Sequence, residues 1–441
     1  MRLIDSLATT EALSSVFSDV AVLQALLDVE AALARVQARL GLIPAAVADA
    51  VGAAARADFF DAGAIAEESR RSGTVVVPLV AALTERVRAA DSESAGFVHW
   101  GATSQDISDT ALVLRLQRAH AIVAVDHGRL MQALRRLSDA HARTVMLGRT
   151  LLQPSPPTTF GLKAAGWFAS AARSWTRLTR SSTDAAVVQF GGASGTLAAL
   201  DTRGRAVAKA LADELGLTCP DAPWHAHRDR LAALVASYGV YTGGLGKIAR
   251  DISLLMQIEV GEVAERGGTS STLPHKKNPS GSAIVLAAAT RLPGLVASFL
   301  TGMVQEHERS AGSWHAEWPT MASAVQATGS AAAAMADAVE GLTVNPVRMR
   351  ANIDAANGAA FSERLLMRLA PLVGRDTAHR LVGEAFGAAR AAGRSFGETI
   401  RATPEIARHL APGELDDLET PEAYLGVAEE LRTRLLAGTS G

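Results

Sequence analysis

With 441 residues and 48% hydrophobic side chains, the chain is long enough for roughly three domains of ~150 residues and apolar enough to bury a large interior. Its 43 basic and 45 acidic residues nearly cancel, which removes any electrostatic case for nucleic acid or a membrane surface and leaves a small molecule as the expected ligand. The one cysteine, Cys219, excludes an internal disulfide and fits a reducing compartment. Asp5 and Glu11 sit where a signal peptide would carry a basic start and an apolar core. Arg291 and Pro293 interrupt the apolar run over 284–300, which argues against a spanning helix. A soluble cytoplasmic protein without a membrane partner is expected.

Helical periodicity carries most of the chain, and strand-like alternation between turn signals is nearly absent. The first clear helix starts after Ser18, repeats apolar residues at Leu23, Leu26, Leu27, Leu33, Val36 and Leu40, and stops at Gly41 with Pro44 beyond. Longer helices are predicted over 106–145, 157–183, 227–265, 280–308 and 312–341. Helices of this length suggest an extended bundle. Their Ala- and Gly-rich faces, as in Ala164-Ala165-Gly166 and Gly243-Gly244-Leu245-Gly246, permit close helix approach and could serve subunit contacts. Pro293 should kink its helix, because proline removes a backbone donor and clashes with the preceding turn. Past Asn345-Pro346 shorter amphipathic helices take over. The expected fold is all-α in three parts: an N-terminal helical domain over 1–105, a central long-helix bundle over 106–345 and a C-terminal helical domain over 346–441.

Four polar islands interrupt this pattern. His99-Trp100-Gly101-Ala102-Thr103-Ser104-Gln105-Asp106 precedes the first long helix, and its free backbone donors suit either an ordinary cap or a carboxylate ligand. Gly148-Arg149-Thr150-Leu151-Leu152-Gln153-Pro154 ends that helix. Arg149 could grip a carboxylate bidentately, with Thr150 and Gln153 as neutral partners, or serve as a solvated helix-end charge. Gln189-Phe190-Gly191-Gly192-Ala193-Ser194-Gly195-Thr196 lacks the ending of a phosphate loop and reads best as a tight turn between helices. The last island, over 268–279, packs Thr269, Ser270, Ser271, Lys276 and Asn278 between small residues and two prolines. It can wrap an anion, Ser270 or Ser271 could lose a proton beside Lys276, and the bland alternative is a mobile linker. His225 with His227, and His307 with Glu308, fall short of a zinc ligand set, so no metal is expected.

Taken together and in this order, the islands resemble the fumarase/aspartase superfamily, whose members include adenylosuccinate and argininosuccinate lyases. Residues 268–279 are similar to its Gly-Ser-Ser-x-Met-Pro-x-Lys-x-Asn-Pro signature, with Thr269 at the leading small position and Leu273 in place of Met. Further stretches over 99–106, 189–200, 223–230, 250–257, 305–310 and 314–318 resemble the superfamily's bacterial 3-carboxymuconate cycloisomerase branch. Leu151 departs from the purine lyases, which place a catalytic histidine there, and Ser72-Gly73-Thr74 lacks a second expected histidine.

The resemblance implies addition–elimination next to a carboxylate through a carbanion of aci-carboxylate character, without cofactor or metal. Ser270 takes the catalytic position, as base in the elimination direction and proton donor in cyclisation. Lys276 and Asn278 would grip the activated carboxylate. His99, Thr103, Ser104, Arg149, Thr150, Gln153 and Ser271 fall among the substrate-binding groups. The ligand implied is a small polycarboxylate, and the assembly a homotetramer whose central bundles meet and whose sites are shared between subunits. Two alternatives remain at this point: an elimination lyase that releases fumarate from a substituted succinate, and a helical scaffold without chemistry.

Overall fold

The computed structural model describes residues 3–269, 273 and 276–438. Among these the architecture is all-α, with eighteen α-helices and three two-stranded β-ladders. Packing divides the chain into two compact units. One comprises Met1–His127, Ser174–Gly246 and Ile284–Ala334, the other Gly128–Arg173, Lys247–Ala283 and Met335–Gly441.

In the first unit the early helix runs Asp19–Arg39. Ser18 caps it by accepting from Ala21 N, and Gly41 leaves it with a left-handed φ of 67°, so both ends follow the sequence signals. Leu26, Leu27 and Val29 of this helix pack on Val47, Val51, Leu79, Leu83 and Val87 of the helices that follow. Another stripe of the same helix, Ala32, Leu33 and Val36, closes over Phe190, Leu200, Val207 and Leu211. That second core fixes the glycine-rich island, which is an irregular loop held against the bundle rather than a tight turn between helices.

In the second unit the structure corrects the expected helix over 106–145. The helix is Ser104–Ala140, and Val145–Thr150 is instead a strand paired antiparallel with Gln153–Thr159. Pro154, Pro156 and Pro157 lack the amide donors a helix needs, while Val145 and Thr150 favour extended backbone. Gly148 sits at the irregularity in the ladder, where a Cβ would lie 2.2 Å from the Pro156 carbonyl oxygen. Other helices are shorter than predicted: Phe160–Asp184, Asp229–Leu255, Ser280–Thr301 and Ser313–Glu340. Ser280–Thr301 carries Pro293 in its interior. Beyond Leu255, Val263–Ala264 pairs with Thr343–Val344, and Gly268–Thr269 pairs with Lys277–Asn278. The C-terminal helices close on their own core of Leu365, Leu369, Leu381, Phe396 and Ile400.

Candidate active site

The first unit builds its polar centre around the start of the helix Ser104–Ala140. Asp106, fully buried, accepts from the backbone amides of Gly191 and Gly192 at 2.9 Å each and of Thr103 at 3.1 Å, and its Oδ1 lies 2.7 Å from His225 Nε2. Four donors around one buried carboxylate satisfy the requirement that a buried charge be paired, and they tie the first and third islands together. His225 is thereby committed to Asp106. Arg309, from the loop before the helix Ser313–Glu340, donates to Thr103 Oγ1 at 2.9 Å and to the Gly192 carbonyl at 2.6 Å. Its guanidinium therefore stands at the mouth of the island and fixes Thr103. Ser104 makes no side-chain hydrogen bond with a described residue, and its hydroxyl is free for a ligand at the helix N-terminus.

His99 has a left-handed φ of 59°, and its Nδ1 lies 2.6 Å from the buried carboxylate of Glu30. Burial works against its charge, but the charge and hydrogen bond of Glu30, with Asp106 adding to them, raise its pKa above the ordinary histidine value. The next residue is held by Gln37, whose side-chain amide donates to the Trp100 carbonyl at 2.7 Å. His99 thus serves to pin the island to the early helix.

Beneath this surface lies an ion cluster that the sequence reading missed. Arg228 is fully buried and donates to both Asp109 oxygens, at 2.7 and 3.0 Å, and to Glu317 at 2.5 to 3.0 Å. Gln105, Gln189 and Trp314 also donate to Asp109, and Gln305 donates to Glu317. Burial pushes the Asp109 pKa up, but Arg228 overrides it and the net direction is down. Glu317 goes up, because burial and the Asp109 charge outweigh the shared guanidinium. The available signal was the helical spacing of Gln105 and Asp109 next to an apolar face; the partners at Arg228 and Glu317 carry no local signature.

The second unit carries the other two islands. Arg149 turns its fork to Glu262, at 3.1 and 2.6 Å, so a carboxylate of the protein stands where the sequence offers a substrate carboxylate or solvent. Glu262 also accepts from Asn352 Nδ2 at 2.7 Å. Thr150 and Gln153 pair across the end of the hairpin and are exposed. Between them Leu151 and Leu152 both adopt left-handed φ, 50° and 63°, and are 97% and 74% exposed. Lys276 is exposed just before the strand pair that closes the signature segment, and Asn278 is half-buried on it. Ser270 and Ser271 lie outside the described residues. The base of the segment is held by Glu265, which accepts from the amides of Gly281 and Ser282 at 3.0 Å each and from the Ser282 hydroxyl at 2.5 Å. This buried carboxylate occupies the N-terminus of the helix Ser280–Thr301, where the helix dipole favours a negative charge.

The fold and the order of these groups along the chain fit a lyase of the fumarase/aspartase type, and comparison with known proteins agrees. A family model described as lyase matches residues 7–294, and one described as adenylosuccinate lyase C-terminus matches residues 358–435; the chain belongs to this lyase family. It is 45% identical to a 3-carboxy-cis,cis-muconate cycloisomerase of Bradyrhizobium diazoefficiens over 98% of this chain and 97% of that one. A nitrosuccinate lyase of Streptomyces davaonensis is 41% identical over 96% of this chain and 91% of its own. The crystal structure of a 3-carboxy-cis,cis-muconate lactonizing enzyme from Pseudomonas putida superposes with a TM-score of 0.93 at 42% identity, covering 99% of this chain and 98% of that one.

Proposed function

We propose that this protein catalyses the cycloisomerisation of 3-carboxy-cis,cis-muconate, a lactone-forming step in aromatic-acid catabolism. The observation that carries the reading is the run of four relatives, 39 to 45% identical over at least 94% of this chain, that bear that activity in their names. In the reaction one substrate carboxylate adds to the conjugated double bond and closes the ring. The carbanion formed next to another carboxylate then takes a proton from Ser270. Negative charge gathers on that second carboxylate, so donors fixed in advance at Lys276 and Asn278 stabilise the transition state more than the ground state. Ser104 and the helix start beside it hold a further carboxylate, with Thr103 set by Arg309. Arg149 positions the hairpin through Glu262, and Thr150 and Gln153 present neutral hydrogen-bonding groups.

The functional assembly is a homotetramer with shared sites. Two features support it: the exposed leucines at the hairpin end, and the helix Ser280–Thr301. Among the described residues that helix alone is long and apolar enough to cross a membrane, yet only 22% of its most apolar stretch is buried within the chain. A subunit contact would cover both. The free Cys219 and the small-molecule substrate suit a cytoplasmic setting.

A second reading, elimination of a substituted succinate, is favoured by the nitrosuccinate lyase relative and by an apolar Leu151 where acid assistance would otherwise be expected, since a good leaving group needs little of it. Ser270→Ala and Lys276→Ala test the assignment of roles. Each should lower kcat by about a hundredfold or more while the thermal transition is retained. Wild-type kcat in Ser270→Ala would remove the serine from the mechanism.

A further inference from the structure

We propose that a cavity of about 640 Å³ in the first unit, walled by Trp314 and Trp318, is the subsite that takes a planar unsaturated carboxylate, the far end of the substrate. The inference rests on the cycloisomerase reading for the substrate's identity, but not for the chemistry of the cavity itself. Its walls include Trp314, Trp318 and Val75, and of its polar groups Ser69 and Thr74 bond to backbone, while Arg70, His315 and Ser108 do not.

The aromatic wall is rigid for a visible reason. Trp314 Nε1 donates to Asp109 Oδ1 at 3.0 Å, and Asp109 is clamped by the fully buried Arg228. Burying such a cluster is energetically demanding, and one result is an indole fixed in orientation at the cavity edge. Trp318 packs against the helical core behind it. Both indoles line the cavity and supply apolar surface suited to a conjugated ligand.

The polar groups are left for a ligand. Arg70 and His315 make no hydrogen bond or ion pair with any described residue, although each lines the cavity. Ser108 is 2% exposed, and its hydroxyl is likewise without a partner among the described residues. A buried hydroxyl facing a cavity beside a guanidinium and an imidazole matches the needs of a carboxylate, which accepts several hydrogen bonds and prefers a forked donor. His315 is near enough to the opposite rim that a Cβ placed on Gly73 would stand 3.8 Å from its Nε2. Ser108 lies one helical turn beyond Ser104 on the same face of the helix Ser104–Ala140, so the cavity opens on the helix face whose start the proposed function assigns to another carboxylate. Chain-end carboxylate and conjugated body are thus received by one helix face and two indoles.

The test uses the full-length protein and trimellitate, a planar aromatic tricarboxylate that cannot undergo the reaction. Calorimetric titration should show binding to wild type, weakened about tenfold or more in Arg70→Ala and in His315→Gln. Arg71→Ala, which removes a surface charge paired with Glu68, should bind as wild type does. If 3-carboxy-cis,cis-muconate is turned over, Arg70→Ala and His315→Gln should raise KM by a larger factor than they lower kcat. Weakened trimellitate binding in these variants without any wild-type turnover would leave the subsite standing and remove the cycloisomerase reading. No binding to wild type, or equal binding by wild type, Arg70→Ala and His315→Gln with unchanged melting temperatures, would overturn the subsite.

Discussion

Burial pushes two histidines of the first unit toward the neutral form, yet their net shifts run in opposite directions, and the difference lies in what each finds when it leaves water. His99 meets the Glu30 carboxylate and its pKa rises. His127 stacks on Trp175 at 4.4 Å, shares Nδ1 with the Tyr241 hydroxyl at 3.0 Å, and is pushed down to about 4 by burial and by nearby His120. A depressed histidine favours the folded state only while it is neutral. Above the unfolded value near 6.5 its contribution is complete, and it is lost as pH falls toward about 4, because the unfolded chain binds the proton first. The loss amounts to about 3 kcal/mol over that window. His99 works the other way, contributing below 6.5 and fading as pH rises through its raised folded value. Comparison of wild type with His127→Phe isolates the first effect: the variant should lose less stability than wild type between pH 7 and pH 5. Parallel melting curves against pH would contradict it.

The element most at odds with its local sequence is the hairpin Val145–Thr150 with Gln153–Thr159. Its two-residue turn places both central residues at positive φ, a geometry that asparagine and glycine adopt easily and leucine does not. Replacing Leu151→Asn together with Leu152→Gly should therefore stabilise the isolated hairpin by about 1 kcal/mol and raise the melting temperature of the free chain. If the exposed leucines meet another subunit, the same double variant should weaken assembly and activity, and a variant with unchanged assembly and full activity would remove them from the interface.

This element also shows where local reading stops. The helix Asp19–Arg39 was legible because Ser18, the apolar stripe and Gly41 all agree. The expected helix over 106–145 overruns the observed end at Ala140 because the apolar pattern continues to Val145, and Leu151-Leu152 contains none of the usual turn residues. Similarly, Thr103, Ser104 and Asp106 stood out as a polar island. That Asp106 would be consumed by Gly191, Gly192 and His225, up to 119 positions away, is a property of packing that no window of sequence contains. Arg149 looked free for a substrate for the same reason, since Glu262 is 113 positions distant.

At the scale of the whole molecule, much of the chain's internal polar chemistry holds the islands rather than performs the reaction. Asp106, Glu262, Glu265 and the Arg228 cluster each satisfy buried charges with fixed donors, and the proposed function assigns Ser104, Lys276 and the cavity groups to substrate. A tetramer with shared sites predicts that co-expressed Ser104→Ala and Lys276→Ala chains regain activity that neither has alone, because some mixed sites draw both intact residues from different subunits. A fully active monomer of 45.9 kDa in light scattering would contradict that assembly.

The most direct test of the central claim is the ultraviolet absorbance of 3-carboxy-cis,cis-muconate after addition of the pure protein. Closing the lactone removes one double bond from the conjugated system. The account predicts a steady loss of absorbance that Ser270→Ala abolishes. No loss with the wild-type protein, together with release of nitrite or an amine from a substituted succinate, would contradict it.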